Sequence, residues 1–161
     1  MGQREHRRMI PLCALLLLAA ALWGCGAKRI EVPDGQPANG PSVVRTARTQ
    51  LGVPYKWGGS SPETGFDCSG YICWVYARHG ITVPRHTSAQ AKAGRPVSRK
   101  QLKPGDILVF RQPGKKGVAH TGIYAGKGTF LHSPKSGAKV REEALAGVWS
   151  KWFLGGRRVL P

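Results

Sequence analysis

The order of its predicted elements is the feature that most constrains the fold of this 161-residue chain. Helical patterns come first, one after Ser42 as N-cap, one over residues 68–79 and a short one over 88–93. The apolar period then changes to two, which is typical of strands. The predicted strands cover residues 107–110, 119–124, 129–132, 139–141 and 152–160. Helices followed by strands predict one α+β domain over residues 42–161, with an antiparallel sheet of about five strands packed against the second helix.

Residues 1–24 have the composition of a secretory signal peptide. Three arginines precede an apolar run over residues 9–22, which is short for a bilayer span. The run ends in Leu22-Trp23-Gly24-Cys25, which resembles a bacterial lipobox. This pattern predicts cleavage before Cys25 and lipidation of that cysteine. A membrane anchor helix, or cleavage at another position, stays open as the alternative.

Residues 25–41 are rich in proline and glycine, and we expect them to form a short tether between the lipid and the domain. Diacylglycerol and an amide-linked acyl chain on Cys25 would attach the protein stably to a membrane. The expected location is therefore the cell envelope. Gly26 follows the cysteine instead of aspartate, which resembles outer-membrane sorting, facing the periplasm, in a Gram-negative cell.

The chain is strongly basic, with 25 Lys and Arg against 8 Asp and Glu and a formal charge of +17. Such an excess indicates an anionic partner, although a solvated basic surface is an equal alternative. The basic residues are scattered rather than gathered on one helix or arm. Because an exported protein does not meet the genomic DNA, we predict no nucleic-acid partner. We expect the anionic partner to be lipid or wall polymer instead.

Two cysteines, Cys68 and Cys73, belong to the predicted domain. Five residues apart on one helix, they would face different directions, so no disulfide is expected between them. Cys73 lies in an apolar run and is best explained as a small buried side chain. Cys68 follows a Gly-, Ser- and Pro-rich loop over residues 55–65 and starts the helix. The helix macrodipole and free N–H groups there would lower the pKa of its thiol and favour a nucleophile.

Five motifs of the domain occur together in one known family. They are Tyr55-Lys56-Trp57-Gly58-Gly59, Phe66-Asp67-Cys68-Ser69-Gly70, the segment 102–110, Ala119-His120-Thr121-Gly122-Ile123-Tyr124 and Phe130-Leu131-His132-Ser133. Over residues 42–161 the chain thus resembles the NlpC/P60 cysteine peptidases, with the lipoprotein layout of the Spr type. The resemblance implies a papain-like α+β fold and hydrolysis of peptide stems in bacterial peptidoglycan.

The resemblance implies a catalytic triad of Cys68, His120 and His132. Cys68 would attack a peptide carbonyl as a thiolate, and His120 would hold the proton and deliver it to the leaving amine. A cysteine beside an imidazolium has a lowered pKa, so we expect the pair to rest as ions. His132 would orient His120 through its other ring nitrogen. A structural role in the sheet is the alternative for either histidine.

Three further residues are expected to bind substrate. The resemblance places Tyr55, Asp67 and Ser69 in the pocket before the scissile bond, where Asp67 would pair with a free amine of the stem peptide. The Tyr55 phenol and the Cys68 amide are candidate oxyanion donors. The ordinary alternatives are a packed aromatic for Tyr55, a helix N-cap for Asp67 and an N-terminal helix residue for Ser69.

No cofactor is predicted. The sequence contains neither a C-x-x-C nor an H-E-x-x-H pair, so a native metal is not expected, and it lacks a P-loop. His79 and His86 have no motif around them and are expected at the surface. We therefore predict a lipid-anchored peptidoglycan endopeptidase that cuts either the γ-D-glutamyl–diaminopimelate bond or the D-alanyl–diaminopimelate cross-link. A catalytically silent wall-binding lipoprotein and a papain-like acyltransferase or amidase are the alternatives.

Overall fold

The computed structural model describes residues 38–111, 114 and 117–161. The predicted signal peptide, Cys25 and most of the predicted tether lie outside the described residues. Within the described part, no helix combines the length and the apolar character that crossing a bilayer requires.

The first helix, α1, covers Gly40–Arg48 and begins before the predicted domain boundary. Asn39 is its N-cap: its side-chain oxygen accepts a hydrogen bond of 2.9 Å from the Ser42 amide. Ser42 completes a capping box, because its hydroxyl oxygen accepts a 3.2 Å bond from the Asn39 amide. The prediction of Ser42 as N-cap is therefore wrong by one turn, since both residues can cap and the asparagine comes first.

The predicted loop over residues 55–65 contains a small hairpin that leads directly into the second helix. Strands β1 (Ser60–Ser61) and β2 (Gly65–Phe66) pair antiparallel. Helix α2 covers Cys68–Ala77 and starts at the predicted residue. The short helix α3 covers Thr87–Gln90. Gly80 follows α2 with φ +69°, a left-handed conformation that suits glycine after a helix.

Six antiparallel strands form the main sheet in the order β3-β8-β4-β5-β6-β7. Their bounds are Arg95–Val97, Ile107–Phe110, His120–Gly126, Thr129–His132, Arg141–Ala144 and Phe153–Arg158 for β3 to β8. A 3₁₀ turn over Arg99–Gln101 follows β3, and helix α4 covers Gly147–Trp152. The α+β prediction is confirmed.

Two strands and one helix depart clearly from the prediction. Strand β3 was not predicted, because Arg95-Pro96-Val97 shows no apolar alternation and pairs only at the sheet edge. The strand predicted at 139–141 begins at Arg141, while Lys139 makes an isolated bridge to Pro54. Helix α4 was missed, because six residues are too few to show a helical period.

The sheet carries apolar side chains on both faces. On one face, Ile107, Ile123 and Leu131 join a buried cluster with residues of α1 and α2. On the other, Phe110 and Phe130 pack with Trp149 of α4. Helix α2 is therefore held against the middle of the sheet. In this position Cys68 lies at the end of the sheet where β5 begins.

Candidate active site

The start of helix α2 is fixed by Asp67, the N-cap residue. Its backbone is extended, with φ −84° and ψ 175°, and its Oδ1 accepts a 2.6 Å hydrogen bond from the Gly70 amide. Cys68 is therefore the first residue of the helix, where backbone N–H groups lack partners within the helix. The sequence-predicted location of Cys68 is confirmed.

The backbone of the loop before the hairpin packs directly against the backbone at the start of α2. The Gly59 carbonyl accepts a 3.0 Å hydrogen bond from the Asp67 amide. A Cβ atom at Gly70 would lie 2.1 Å from the same carbonyl oxygen. Glycine is thus required at position 70 for this close approach. Because Tyr55 also bridges to Phe66, its phenol is brought beside the helix start.

The two predicted catalytic histidines meet at one end of the strands, where β5 begins and β6 ends. His120 is the first residue of β5 and His132 the last residue of β6, and antiparallel neighbours place these ends together. His120 Nε2 lies 2.7 Å from His132 Nδ1, and both side chains are buried. The Ser133 hydroxyl donates a 2.7 Å hydrogen bond to the carbonyl oxygen of Phe66, which connects the end of β6 to the segment just before α2.

An open cleft of about 570 Å³ lies between the start of α2 and the start of β5. It brings together five of the predicted site residues, namely Tyr55, Asp67, Cys68, Ser69 and His120. His132 is not part of the cleft wall and lies behind His120. The exposed indole of Trp57 and the side chain of Arg85 complete the wall on the loop side.

The protonation of the cysteine and the histidines differs from the prediction. Burial raises the pKa of the Cys68 thiol, the Asp67 carboxylate acts in the same direction, and hydrogen bonds with Thr121 and the Ser69 amide oppose them. Burial lowers the pKa of His120 and of His132, each to about 3. The structure therefore favours a neutral thiol and a neutral imidazole. Both directions oppose the predicted resting ion pair, because burial disfavours the charged form of each group.

The Asp67 carboxylate is already fully engaged. Arg85 donates to both of its oxygens, from Nη1 to Oδ1 at 2.9 Å and from Nη2 to Oδ2 at 2.7 Å. The Gly70 and Gly58 amides and the Ser69 hydroxyl donate three further bonds of 2.6, 3.1 and 3.2 Å. Hydrogen bonds from Arg85 and Gly70 help to lower the pKa of Asp67 against its desolvation. Asp67 is thus a helix cap and ion-pair partner, with no acceptor site left for an ammonium group.

Ser69 and Tyr55 have different roles in the wall. Ser69 is buried, and its hydroxyl also accepts a 2.9 Å bond from Arg85, so it belongs to the Asp67–Arg85 network. Tyr55 is partly exposed to the cleft, and burial raises the pKa of its phenol above the ordinary value. The phenol is therefore protonated at neutral pH and able to donate a hydrogen bond.

The sequence analysis missed three residues around the predicted triad. Arg85 anchors Asp67, and its sequence surroundings do not distinguish it from the other arginines. Trp149 packs against both histidines, with ring centroids 5.4 Å from His120 and 4.9 Å from His132. Glu143 Oε1 lies 3.5 Å from His132 Nε2. The strand register brings Glu143 to the site, α4 brings Trp149, and Arg85 reaches it from the segment between α2 and α3.

The remaining cysteine and histidines lie around the site in other roles. Cys73 is partly buried with its Sγ 3.3 Å from the carbonyl oxygens of Val83 and Pro84, and both domain cysteines are free. His79 bonds to the Thr46 hydroxyl at 2.9 Å rather than standing free at the surface. His86 is exposed, as predicted, but lines the cleft. Across residues 38–111 and 117–161, no three His, Cys, Asp or Glu side chains cluster as metal ligands.

A family model covers most of this domain. The NlpC/P60 family matches residues 52–158, and the chain belongs to this family. The papain-like fold that the sequence implied is the fold of this family.

Among curated proteins, the chain is 39% identical over 115 residues to the murein DD-endopeptidase MepH of Escherichia coli K12. The match covers 69% of this chain and 42% of MepH. The chain therefore spans less than half the length of this relative.

Solved structures agree with this assignment. An NlpC/P60 family protein from Bacillus cereus superposes with a TM-score of 0.73 at 35% identity, over 78% of this chain and 42% of that one. The NlpC/P60 domain of the peptidoglycan hydrolase SagA superposes with a TM-score of 0.66 at 34% identity, over 75% of this chain and 99% of the domain.

Proposed function

We propose that this protein is a cysteine endopeptidase that cuts the stem peptides of bacterial peptidoglycan. The observation that carries the proposal is the cleft in which Cys68, at the start of α2, shares a wall with His120, whose ring is hydrogen-bonded to His132 behind it. A nucleophile, a base and a group that orients the base form a triad that can hydrolyse an amide through a covalent intermediate. MepH is named as a murein endopeptidase and SagA as a peptidoglycan hydrolase, which supports this substrate class.

The reaction begins from the neutral pair. His120 Nε2 is engaged by His132, so Nδ1 is the nitrogen available to accept the thiol proton as Cys68 Sγ attacks the carbonyl carbon. The oxyanion is stabilised by the Cys68 amide and the Tyr55 phenol. The imidazolium of His120 then protonates the leaving amine, and the C–N bond breaks to leave a thioester on Cys68. Water, deprotonated by His120, hydrolyses the thioester and restores the thiol.

The saturated Asp67 bears on the choice of substrate. Because its carboxylate is occupied by Arg85 and three further donors, the pocket has no free anion to demand an amine-terminated peptide. We infer that stems still attached to glycan are accepted. Both the γ-D-glutamyl–diaminopimelate bond and the D-alanyl–diaminopimelate cross-link occur in such stems, and product analysis distinguishes them.

The decisive experiment incubates the full chain with purified sacculi and identifies the released fragments by mass spectrometry. We expect stem-peptide fragments from the wild type, and a loss of at least about a thousandfold in rate for Cys68→Ala. Cys73→Ala is the matched control and should retain activity. Sedimentation with sacculi without cleavage would instead indicate a wall-binding protein, and neither binding nor cleavage would favour an acyltransferase or amidase.

We further propose that Cys25 carries lipid and that the protein works in the cell envelope, on the outer membrane in a Gram-negative host. The lipobox-like Leu22-Trp23-Gly24-Cys25 supports this proposal. Metabolic labelling with palmitate should mark the wild type and not Cys25→Ser, with Cys13→Ser as the matched control that stays labelled. An unlabelled wild type would overturn the proposal.

A further inference from the structure

One polar atom beneath the proposed catalytic pair has no hydrogen-bond partner. Among the described residues, His132 Nε2 is the buried side-chain nitrogen or oxygen that lacks one. The carboxylate of Glu143 faces this atom, with Oε1 3.5 Å away, at ion-pair distance but without a hydrogen bond. The contact is therefore electrostatic, and whether it is attractive or repulsive depends on whether His132 Nε2 carries a proton.

Glu143 is held at this position by two other side chains. Arg141 lies two residues earlier on β7, hence on the same face, and pairs through Nε with Oε1. The indole Nε1 of Trp149 donates to Oε2. In the strand register, His132 lies opposite Arg141 and Phe130 opposite Glu143, so Glu143 approaches His132 diagonally. The carboxylate is thus fixed by β7 and α4, independently of the cleft.

The hydrogen bond between the two histidines has two possible tautomeric forms. In the first, His120 Nε2–H donates to His132 Nδ1, and the proton of His132 lies on Nε2, pointing toward Glu143. His120 Nδ1 is then unprotonated and can accept the proton of Cys68. In the second, His132 Nδ1–H donates to His120 Nε2, and His120 Nδ1 carries the proton and cannot act as a base.

The surroundings of His132 discriminate between the two forms. The second form would direct the lone pair of the buried Nε2 at the Glu143 carboxylate, which is repulsive. The first form directs an N–H dipole at the same oxygen, which is attractive, and desolvation strengthens both effects. The charged or titratable groups around His132 are His120, Glu143 and Arg141. Burial and the cation of Arg141, which is paired with Glu143, lower the pKa of His132, so the ring is neutral and the two tautomers are the forms to compare.

We propose that Glu143 is a positioning residue that selects the Nε2–H tautomer of His132 and thereby leaves His120 Nδ1 free to act as the base toward Cys68. The inference rests on the proposed function and assigns a fourth member to its catalytic relay. Glu143 itself touches neither substrate nor nucleophile, and it acts through His132.

The first test needs no catalytic activity. Nitrogen-15 NMR of histidine-labelled protein at pH 7 reports which ring nitrogen carries the proton, and His120→Gln and His132→Gln variants assign the signals. We expect His132 with its proton on Nε2 and His120 with its proton on Nε2. A wild-type His132 protonated on Nδ1 would overturn the proposal, whether or not the protein cleaves peptidoglycan.

The second test uses variants of two adjacent glutamates. Glu143→Ala should shift His132 toward the Nδ1–H form and reduce kcat about 10- to 100-fold with little change in KM. Glu143→Gln, whose amide oxygen still directs a partial negative charge at Nε2–H, should recover part of kcat. Glu142→Gln is the matched control: Glu142 pairs with Arg48 outside the site, and we expect its kcat and histidine signals to be unchanged.

The outcomes separate this inference from the proposed function. Wild-type activity with unchanged kcat and tautomer in Glu143→Ala would refute the role of Glu143 alone. An inactive wild type that shows the expected tautomers would refute the endopeptidase and leave the tautomer selection standing. If Glu143→Ala does not fold, Glu143→Gln and the wild-type spectrum still decide the question.

Discussion

Arg85 and Asp67 form a two-pronged ion pair across the mouth of the cleft, with both carboxylate oxygens accepting from the guanidinium. The same carboxylate caps helix α2, whose first residue is Cys68. The pair therefore links the wall of the cleft to the position of Cys68. It also converts an acidic residue, which would attract amines, into a neutral structural unit.

A substrate comparison tests this neutral unit directly. Two stem peptides that differ only in whether the N-terminal amine is free or acetylated should have the same kcat/KM, because Asp67 has no acceptor left for an ammonium group. The rates are measured by chromatography of the products. A strong preference for the free amine would show that Arg85 releases Asp67 when substrate binds.

Removal of Arg85 should destabilise the protein. In Arg85→Ala, the Asp67 carboxylate keeps its backbone donors and loses its charged partner, at a cost of about 1–2 kcal/mol in the free energy of unfolding, since Arg85 is partly exposed to solvent. Urea denaturation followed by circular dichroism gives this value. Arg95→Ala, at an exposed position of the edge strand β3, is the control and should change stability much less. Equal losses in both variants would contradict the ion-pair role.

The buried histidines predict a loss of stability in acid. The folded-state pKa values of His120 and His132 are lowered to about 3, below the ordinary value of 6.5, so the unfolded chain binds more protons in this interval. Their contribution is complete above pH 6.5 and is lost as the pH falls toward 3, by at most about 1.4 kcal/mol per pH unit for each histidine.

Urea denaturation between pH 6.5 and 4.5 measures this slope. Over this interval His132→Gln should show a shallower dependence than the wild type. A flat wild-type profile would mean that the two rings are not held neutral by burial.

Gly70 offers a test with a definite sign. Helix propensity alone predicts that Gly70→Ala stabilises α2 by up to about 1 kcal/mol. The new Cβ atom would instead lie 2.1 Å from the Gly59 carbonyl oxygen, which is backbone and cannot rotate away. We therefore expect a net loss of about 1–3 kcal/mol and reduced hydrolysis, measured by thermal unfolding and product release. A stabilised variant would show that the loop moves without cost.

Local signals in the sequence were sufficient to predict the main helices and strands. Helix α2 starts at Cys68, and β4 and β6 have the predicted bounds of 107–110 and 129–132, because each follows from a cap, a turn or an apolar run a few residues long. The family motifs contain Tyr55, Asp67, Cys68, Ser69 and His120, which line the cleft, whereas Arg85 and His86 line it from outside those motifs. The short β3 and α4 carry no such periodic signal and could not be predicted.

Tertiary structure alone decided the partners and the protonation of the site. Arg85 lies 18 residues from Asp67, and Glu143 reaches His132 only through the register of two strands. The macrodipole, which is a local property, predicted a lowered pKa for Cys68, but desolvation depends on everything packed around the thiol and reverses the direction. Short-range patterns determine which residues form a helix or a strand, whereas charge pairing and burial depend on distances that exist only after the chain has folded.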